Sequence, residues 1–325
     1  VLNDCQVFDS SLSVDHVRSI NQFELYDAIA DELVKTYEKD VAKKRKFVAF
    51  ISCTQFLGLT ENEEYNYVNI KRKTLANPAL GTGFLALLGS GSFYSWPSKV
   101  DEVQEAFLNK SIVDTRFLLD DSNYRKTYGG NFATSLGSLI HEIGHIFDLG
   151  HTQTGFMGND FDYVNRFFIT ENYTEIMPKR TVSNCQQAPN SPSVNVHSTK
   201  LTKISRNGGD YLEKYRQQKN NDMTFFEPNC MLTMMSHRWF THEKDMNKAF
   251  ITFDEVEKII TASDEIVLVE IRELDSLLRQ FWDLKLKYTK IFQLPTDANL
   301  KNSIIFAITK TGSTLKTKSC AIVTS

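Results

Sequence analysis

Between positions 141 and 151 the chain reads HEIGHIFDLGH, and few folds can make use of such a run. His141 and His145 are four residues apart. On a helix that spacing sets both imidazoles on one face, one turn apart, where they can share a metal ion. Glu142 follows the first histidine directly and is suited to take a proton from water beside such an ion. His151 lies six positions beyond His145. Along an unbroken helix it would be displaced by about 9 Å, too far to share the ion. It can join only if the helix stops and the chain turns back. The sequence marks that stop: Gly150 is flexible, and Asp148 belongs to the few non-glycine types that tolerate the left-handed conformation. Three of the seven histidines of the chain fall inside these eleven residues, which argues against accident. The expected arrangement is one zinc ion held by three neutral imidazoles, with a fourth position open.

The run resembles the metzincin signature H-E-x-x-H-x-x-G-x-x-H, which is followed by a methionine turn. The turn would be Gly155-Phe156-Met157-Gly158, with Met157 beneath the metal. The pattern departs at Asp148, where metzincins have glycine. That departure bears on the tightness of the turn and leaves the ligands in place. No tyrosine stands two residues after Met157, so the additional tyrosine ligand of astacin-like members is not implied. The wider wording GSLIHEIGHIFDLGHTQTGFMG, with HRWF at 237–240, is similar to a group of zinc metallopeptidases of fungi and animals that generally lack secretion signals. The resemblance implies an α+β, metzincin-like fold in which a twisted mixed β-sheet lies over the active-site helix. It also implies a zinc endopeptidase that hydrolyses polypeptides with metal-activated water and Glu142 as general base. Two other readings stay open: a zinc protein that binds peptides without cutting them, and a zinc amidase acting on a non-peptide substrate.

Patterning along the chain predicts a framework for that site. Apolar residues at helical spacing over 20–41 predict an amphipathic helix. The apolar run at 47–57 predicts a buried strand, and alternation over 65–71 predicts another. A glycine-punctuated strand is expected over 81–96, kinked near Gly89-Ser90-Gly91, with 83–95 as an edge over the cleft. Next come a helix from Ser98 to about Leu108, a short strand at 112–119, the motif helix at 131–148 and a loop at 150–162. Residues 181–222 are polar and rich in glycine and proline, and read as a mobile insertion. A helix is expected over 229–242. The catalytic domain would then span 1–250. A small C-terminal α/β subdomain would span 251–325, with helices at 253–260 and 274–286, a strand at 265–271 and a hairpin at Thr311-Gly312.

The remaining chemistry-bearing residues read as structural. His237 would pack with Trp239 and Phe240, while His16, His197 and His242 have no partner at ligand spacing. Asp160 and Asp162 would cap the loop rather than orient a ligand. Gly89-Ser90-Gly91 lacks the lysine of a phosphate loop, and no G-x-S-x-G elbow is present. A net charge of −3 in 325 residues gives no electrostatic reason to expect a nucleic-acid or anionic-membrane partner. No apolar run reaches membrane-spanning length. The five cysteines are odd in number and far apart, which points to reduced thiols in a cytoplasmic protein. The two sequons at Asn109 and Asn172 are short enough to arise by chance. The chain begins at Val1, so an upstream segment is expected to have been removed.

Overall fold

The computed structural model describes residues 6–37, 45–169, 224–240 and 249–319. The expected insertion at 181–222, together with His197 and His242, lies outside them. The N-terminal part opens with α1 (Val14–Ser19) and α2 (Gln22–Thr36). Asn21 begins α2 with a reciprocal cap: its side chain accepts from the Phe23 and Glu24 amides, and the Glu24 side chain accepts from the Asn21 amide. Next are β1 (Phe47–Ile51), β2 (Gln55–Phe56), α3 (Tyr67–Arg72), β3 (Thr74–Leu75), β4 (Ala79–Thr82) and β5 (Leu85–Gly89). The main sheet has the order β1-β5-β4, with β1 and β5 parallel and β4 antiparallel to β5.

Strand alternation explains how this sheet is covered on both faces. Leu85 and Leu87 join Leu25, Tyr26, Ile29 and Leu33 of α2 in one core. Ala86 and Leu88 pack with Ile146, Leu139 and Phe147 in another. Those last residues belong to the motif helix α5 (Tyr128–Ile146) or follow it. The sheet is thus held between α2 and the site helix. Tyr26 links α2 to the turn of the β4–β5 hairpin by donating to the Thr82 and Leu85 carbonyls at 2.7 and 3.1 Å.

On its other side α5 rests on an aromatic core that includes Phe107 of α4 (Val103–Leu108), Phe132, Phe156 and Val164. Phe107 and Phe132 stack at 4.4 Å. Beyond the site loop come α6 (Asn165–Phe168) and α7 (Pro228–Ser236).

Several elements differ from expectation. In place of the strand expected at 65–71 stands α3 (Tyr67–Arg72), because Asn66 caps it by accepting from the Asn69 amide at 2.9 Å. The segment 112–119 forms no strand; only an isolated bridge from Ile112 to Thr127 remains, and Asp114 turns the chain. The apolar stretch 81–96 is split into an antiparallel pair by Gly83, whose φ is +55°. The edge over α5 is therefore β4, and β5 lies inside the sheet.

The C-terminal part differs most. Instead of an α/β subdomain, its described residues form only strands: β6 (Ile251–Asp254), β7 (Ile259–Ala262), β8 (Ile266–Glu273), β9 (Leu278–Asp283), β10 (Ile291–Gln293), β11 (Ser303–Thr309) and β12 (Thr314–Ser319). They make two sheets, ordered β10-β7-β6 and β12-β11-β8-β9. The two expected helices are hairpins. Asp254 turns the first by accepting from the Val256 and Glu257 amides, and Lys258 adopts φ +53°. Ser276, at φ +69°, turns the second. The sheets share a core of Ile260, Val269, Ile271, Leu294 and Ile305, among others. The expected hairpin at Thr311-Gly312 joins β11 to β12.

Close packing of β4 on α5 makes one residue diagnostic. A side chain added at Gly81 would run into the Glu142 carbonyl. Gly81→Ala is expected to lower unfolding free energy by about 1–3 kcal/mol, measured by urea denaturation against a Gly83→Ala reference, which meets no atom within 4 Å but carries its own φ cost.

Candidate metal centre

Helix α5 starts at Thr127, whose side chain accepts from the Gly130 amide, and places His141 and His145 on its last two turns. The helix then ends as the sequence requires. Asp148 takes φ +65°, its amide donates to the His145 carbonyl at 3.1 Å, and the Leu149 amide reaches back to Gly144 at 3.1 Å. This is a Schellman closure with aspartate where glycine is usual. The reversed chain brings His151 to the other two histidines. His145 Nε2 lies 3.1 Å from His141 Nε2 and 3.1 Å from His151 Nε2.

The partners of the opposite ring nitrogens identify the tautomers. His141 Nδ1 faces the Phe156 carbonyl at 2.7 Å, His145 Nδ1 the Leu149 carbonyl at 3.0 Å, and His151 Nδ1 the Asp275 carbonyl at 2.8 Å. A carbonyl only accepts, so each Nδ1 carries the ring's proton when the ring is neutral. All three Nε2 atoms then present lone pairs to one another. Such an arrangement is repulsive unless a cation sits among them, and backbone carbonyls on the far nitrogens are the usual partners of metal-binding imidazoles. The donor set therefore fits one zinc ion. Among the described residues this is the cluster of histidine, cysteine and carboxylate side chains that could hold a metal.

The electrostatics agree with neutral rings. Burial lowers the His141 pKa to about 4, against the raising effect of the Phe156 carbonyl, and the neighbouring His151 lowers it further. Burial and the charges of His141 and His151 lower that of His145 to about 3. Glu142 moves the other way: burial pushes it up to about 7, although a hydrogen bond from the Gly81 amide pulls it down.

The structure places the other candidate residues in several settings. Met157 is fully buried and packs with Leu149 and Cys230. A side chain on Gly144 would collide with its sulfur, so methionine and the site helix are in direct contact. Asp160 caps the loop by accepting from the Gly155 amide at 2.8 Å, where Gly155 has φ +77°. Asp162 accepts from Asn123 at 2.8 Å. Gly150 has a role other than flexibility: a side chain there would meet Arg272 and the Ser276 carbonyl, so its smallness admits the C-terminal hairpin. His237 packs against Phe240 as expected, but its other ring neighbour is Phe147; Trp239 only donates its amide to His237 Nδ1 at 3.4 Å, and the His237 Nε2 lies 3.5 Å from the Asp148 carboxylate. Burial alone would raise the Asp148 carboxyl. His237, Lys316 and Lys46 instead hold it below its ordinary value. His16 is exposed on α1.

Sequence reasoning missed the residues that reach the site from the C-terminal sheets: Arg272, Asp275 and Ser276. One signal was available. Glu270 and Arg272 interrupt the apolar run of β8 two residues apart, on a single face of a strand that is buried throughout Ile266–Arg272.

Comparison with known proteins gives the following. The profile of a family described as "Putative peptidase family" matches residues 5–254. Over 87 residues the chain is 32% identical to a "Putative zinc metalloproteinase" of Saccharomyces cerevisiae, a match covering 27% of this chain and 12% of that protein. Over 106 residues it is 28% identical to a "Putative zinc metalloproteinase" of Schizosaccharomyces pombe, covering 31% of this chain and 17% of that protein. The chain thus spans less than a fifth of the length of the curated relatives it matches. No solved structure matches. No described helix is long and apolar enough to cross a membrane.

Two outcomes are expected. Asp148→Gly keeps the turn, whereas Asp148→Val, forced into the left-handed region, costs about 1–3 kcal/mol in chemical denaturation. The second concerns pH. His141 and His145 are depressed from 6.5 to about 4 and 3, so below 6.5 these two rings bind more protons in the unfolded chain than in the folded one. Their contribution to the stability of the metal-free protein is therefore complete above pH 6.5 and is lost as pH falls through 4 and 3, while the raised carboxyls of Glu142 and Asp121 act in the opposite direction as pH falls through 7. Thermal unfolding in chelator should show the histidine contribution as a difference between the wild type and His145→Asn that moves against the wild type as pH falls below 6.5.

Proposed function

The chain belongs to that peptidase family, and from this premise we propose that it is a zinc-dependent endopeptidase with a metzincin-like site. His141, His145 and His151 would hold one zinc ion, and Glu142 would be the general base. The observation that carries the proposal is the convergence of three Nε2 lone pairs whose opposite nitrogens are all engaged by backbone carbonyls. When bound, the ion supplies a Lewis acid that acidifies water and neutralises charge developing on a carbonyl oxygen.

The chain's own groups would do the rest. Glu142 takes a proton from the attacking water and returns it to the departing amine. Its pKa near 7 suits a group that must both accept and release a proton at neutral pH. The Gly81 hydrogen bond orients the carboxylate and ties it to β4. That strand forms the edge of the main sheet beside α5, where an extended polypeptide could add by backbone hydrogen bonding. This placement favours a polypeptide over a small amide as the substrate. Met157 would serve as the packed floor of the site.

Glu142→Gln tests the mechanism. The variant should bind zinc as the wild type does while its cleavage of a diverse peptide mixture falls at least about 100-fold. Chelation of the wild type should abolish cleavage, and zinc should restore it. Full activity in the Glu142→Gln protein, or cleavage that persists without metal, contradicts the proposal.

A further inference from the structure

The third histidine is presented by the C-terminal sheets as much as by its own loop. The His151 amide donates to the Ser276 carbonyl at 2.9 Å, its carbonyl accepts from the Leu278 amide at 2.8 Å, and its Nδ1 donates to the Asp275 carbonyl at 2.8 Å. In effect His151 adds a bridge to the β8–β9 hairpin. These partners lie beyond residue 254, where the family match ends.

A buried ion pair holds the hairpin to the helix stop. Arg272 is fully buried; its Nη2 donates to the Asp148 carbonyl at 2.9 Å and its Nε to Glu270 at 2.5 Å. Glu270, also fully buried, accepts in turn from Asn229 of α7 at 2.8 Å. The guanidinium lies 4.1 Å above the Phe306 ring, and Gly150 packs directly against its side chain. Asp148 is the left-handed residue that lets His151 return, and a carbonyl at a helix end has no helical partner of its own. One guanidinium therefore caps the break and fixes its distance from the hairpin that grips the ligand. Burying such a pair is costly compared with an apolar equivalent, so packing alone gives little reason for it.

We propose that Arg272 is a positioning residue for the third metal ligand, and that the β8–β9 hairpin is an integral part of the metal centre. The proposal rests on the zinc reading given above. Its consequence is that the family-matched segment alone lacks the contacts that set His151, and that zinc binding is coupled to the C-terminal sheets.

The test uses the full chain, with zinc or cobalt alone as the probe. The double variant Glu270→Gln/Arg272→Met removes both buried charges while keeping volume and an acceptor for Asn229. Arg272→Lys keeps a cation beside Glu270 but shortens the reach to Asp148. Ser276→Val leaves the core untouched and strains the hairpin turn at φ +69°. Zinc affinity is read by competition with a chromophoric chelator, and ligand geometry from the cobalt d–d spectrum. Folding is checked by near-ultraviolet circular dichroism. All three variants should fold, bind zinc about 10–100-fold more weakly, and show cobalt bands altered from the wild type. If the Arg272 variants do not fold, Ser276→Val decides alone. Wild-type affinity and spectrum in the folded variants overturn this proposal only. A wild type that takes up neither metal overturns it together with the zinc reading beneath it.

Discussion

Three imidazole lone pairs aimed at one another repel, and the surrounding fold is organised to keep them there. Two come from successive turns of α5 and need only a helix. The third needs a reversal within six residues, and that reversal hangs on Asp148 in the left-handed region. Around this turn gather Arg272 on the carbonyl, His237 on the carboxylate and the β8–β9 hairpin on His151. Each contact comes from far along the chain. The site is locally encoded and globally enforced.

The same reasoning explains the packing of the main sheet. Helix α5 has to be immobile at its C-terminal turns for its histidines to keep their spacing. Leu88, Ala86 and Phe50 pack on one side of it, and Phe156, Phe161 and Val164 on the other. Gly81 and Gly144 let β4 and Met157 approach the helix backbone closely. Phe156 joins the two roles, since its ring lies in the aromatic core and its carbonyl orients His141.

The legible parts of the sequence were those with local signatures. The helix break was readable because Asp148 and Gly150 are unusual in a helical pattern, and α2 because its apolar stripe is regular. The C-terminal hairpins were not readable as such. Residues 253–260 and 274–286 carry apolar residues at spacings compatible with a helix, and the turns that break them place Lys258 and Ser276 at positive φ, where glycine would have been the clear signal. Helix α3 was missed although Asn66 offered a cap, because alternation in a short segment outweighed it. The contribution of residues 272–278 to the site was hidden for a different reason. It runs through backbone carbonyls of Asp275 and Ser276, which no side-chain pattern reveals. Only the isolated Glu270 and Arg272 in an apolar strand hinted that β8 faces something polar.

Zinc K-edge absorption spectroscopy on the zinc-loaded full chain addresses the shared-ion geometry directly, because it counts imidazoles around the metal. The account predicts one ion per chain with three imidazole nitrogens at about 2.0–2.1 Å and one further light-atom ligand. A spectrum that fits two imidazoles, or in which His151→Ala leaves the imidazole count unchanged, contradicts it.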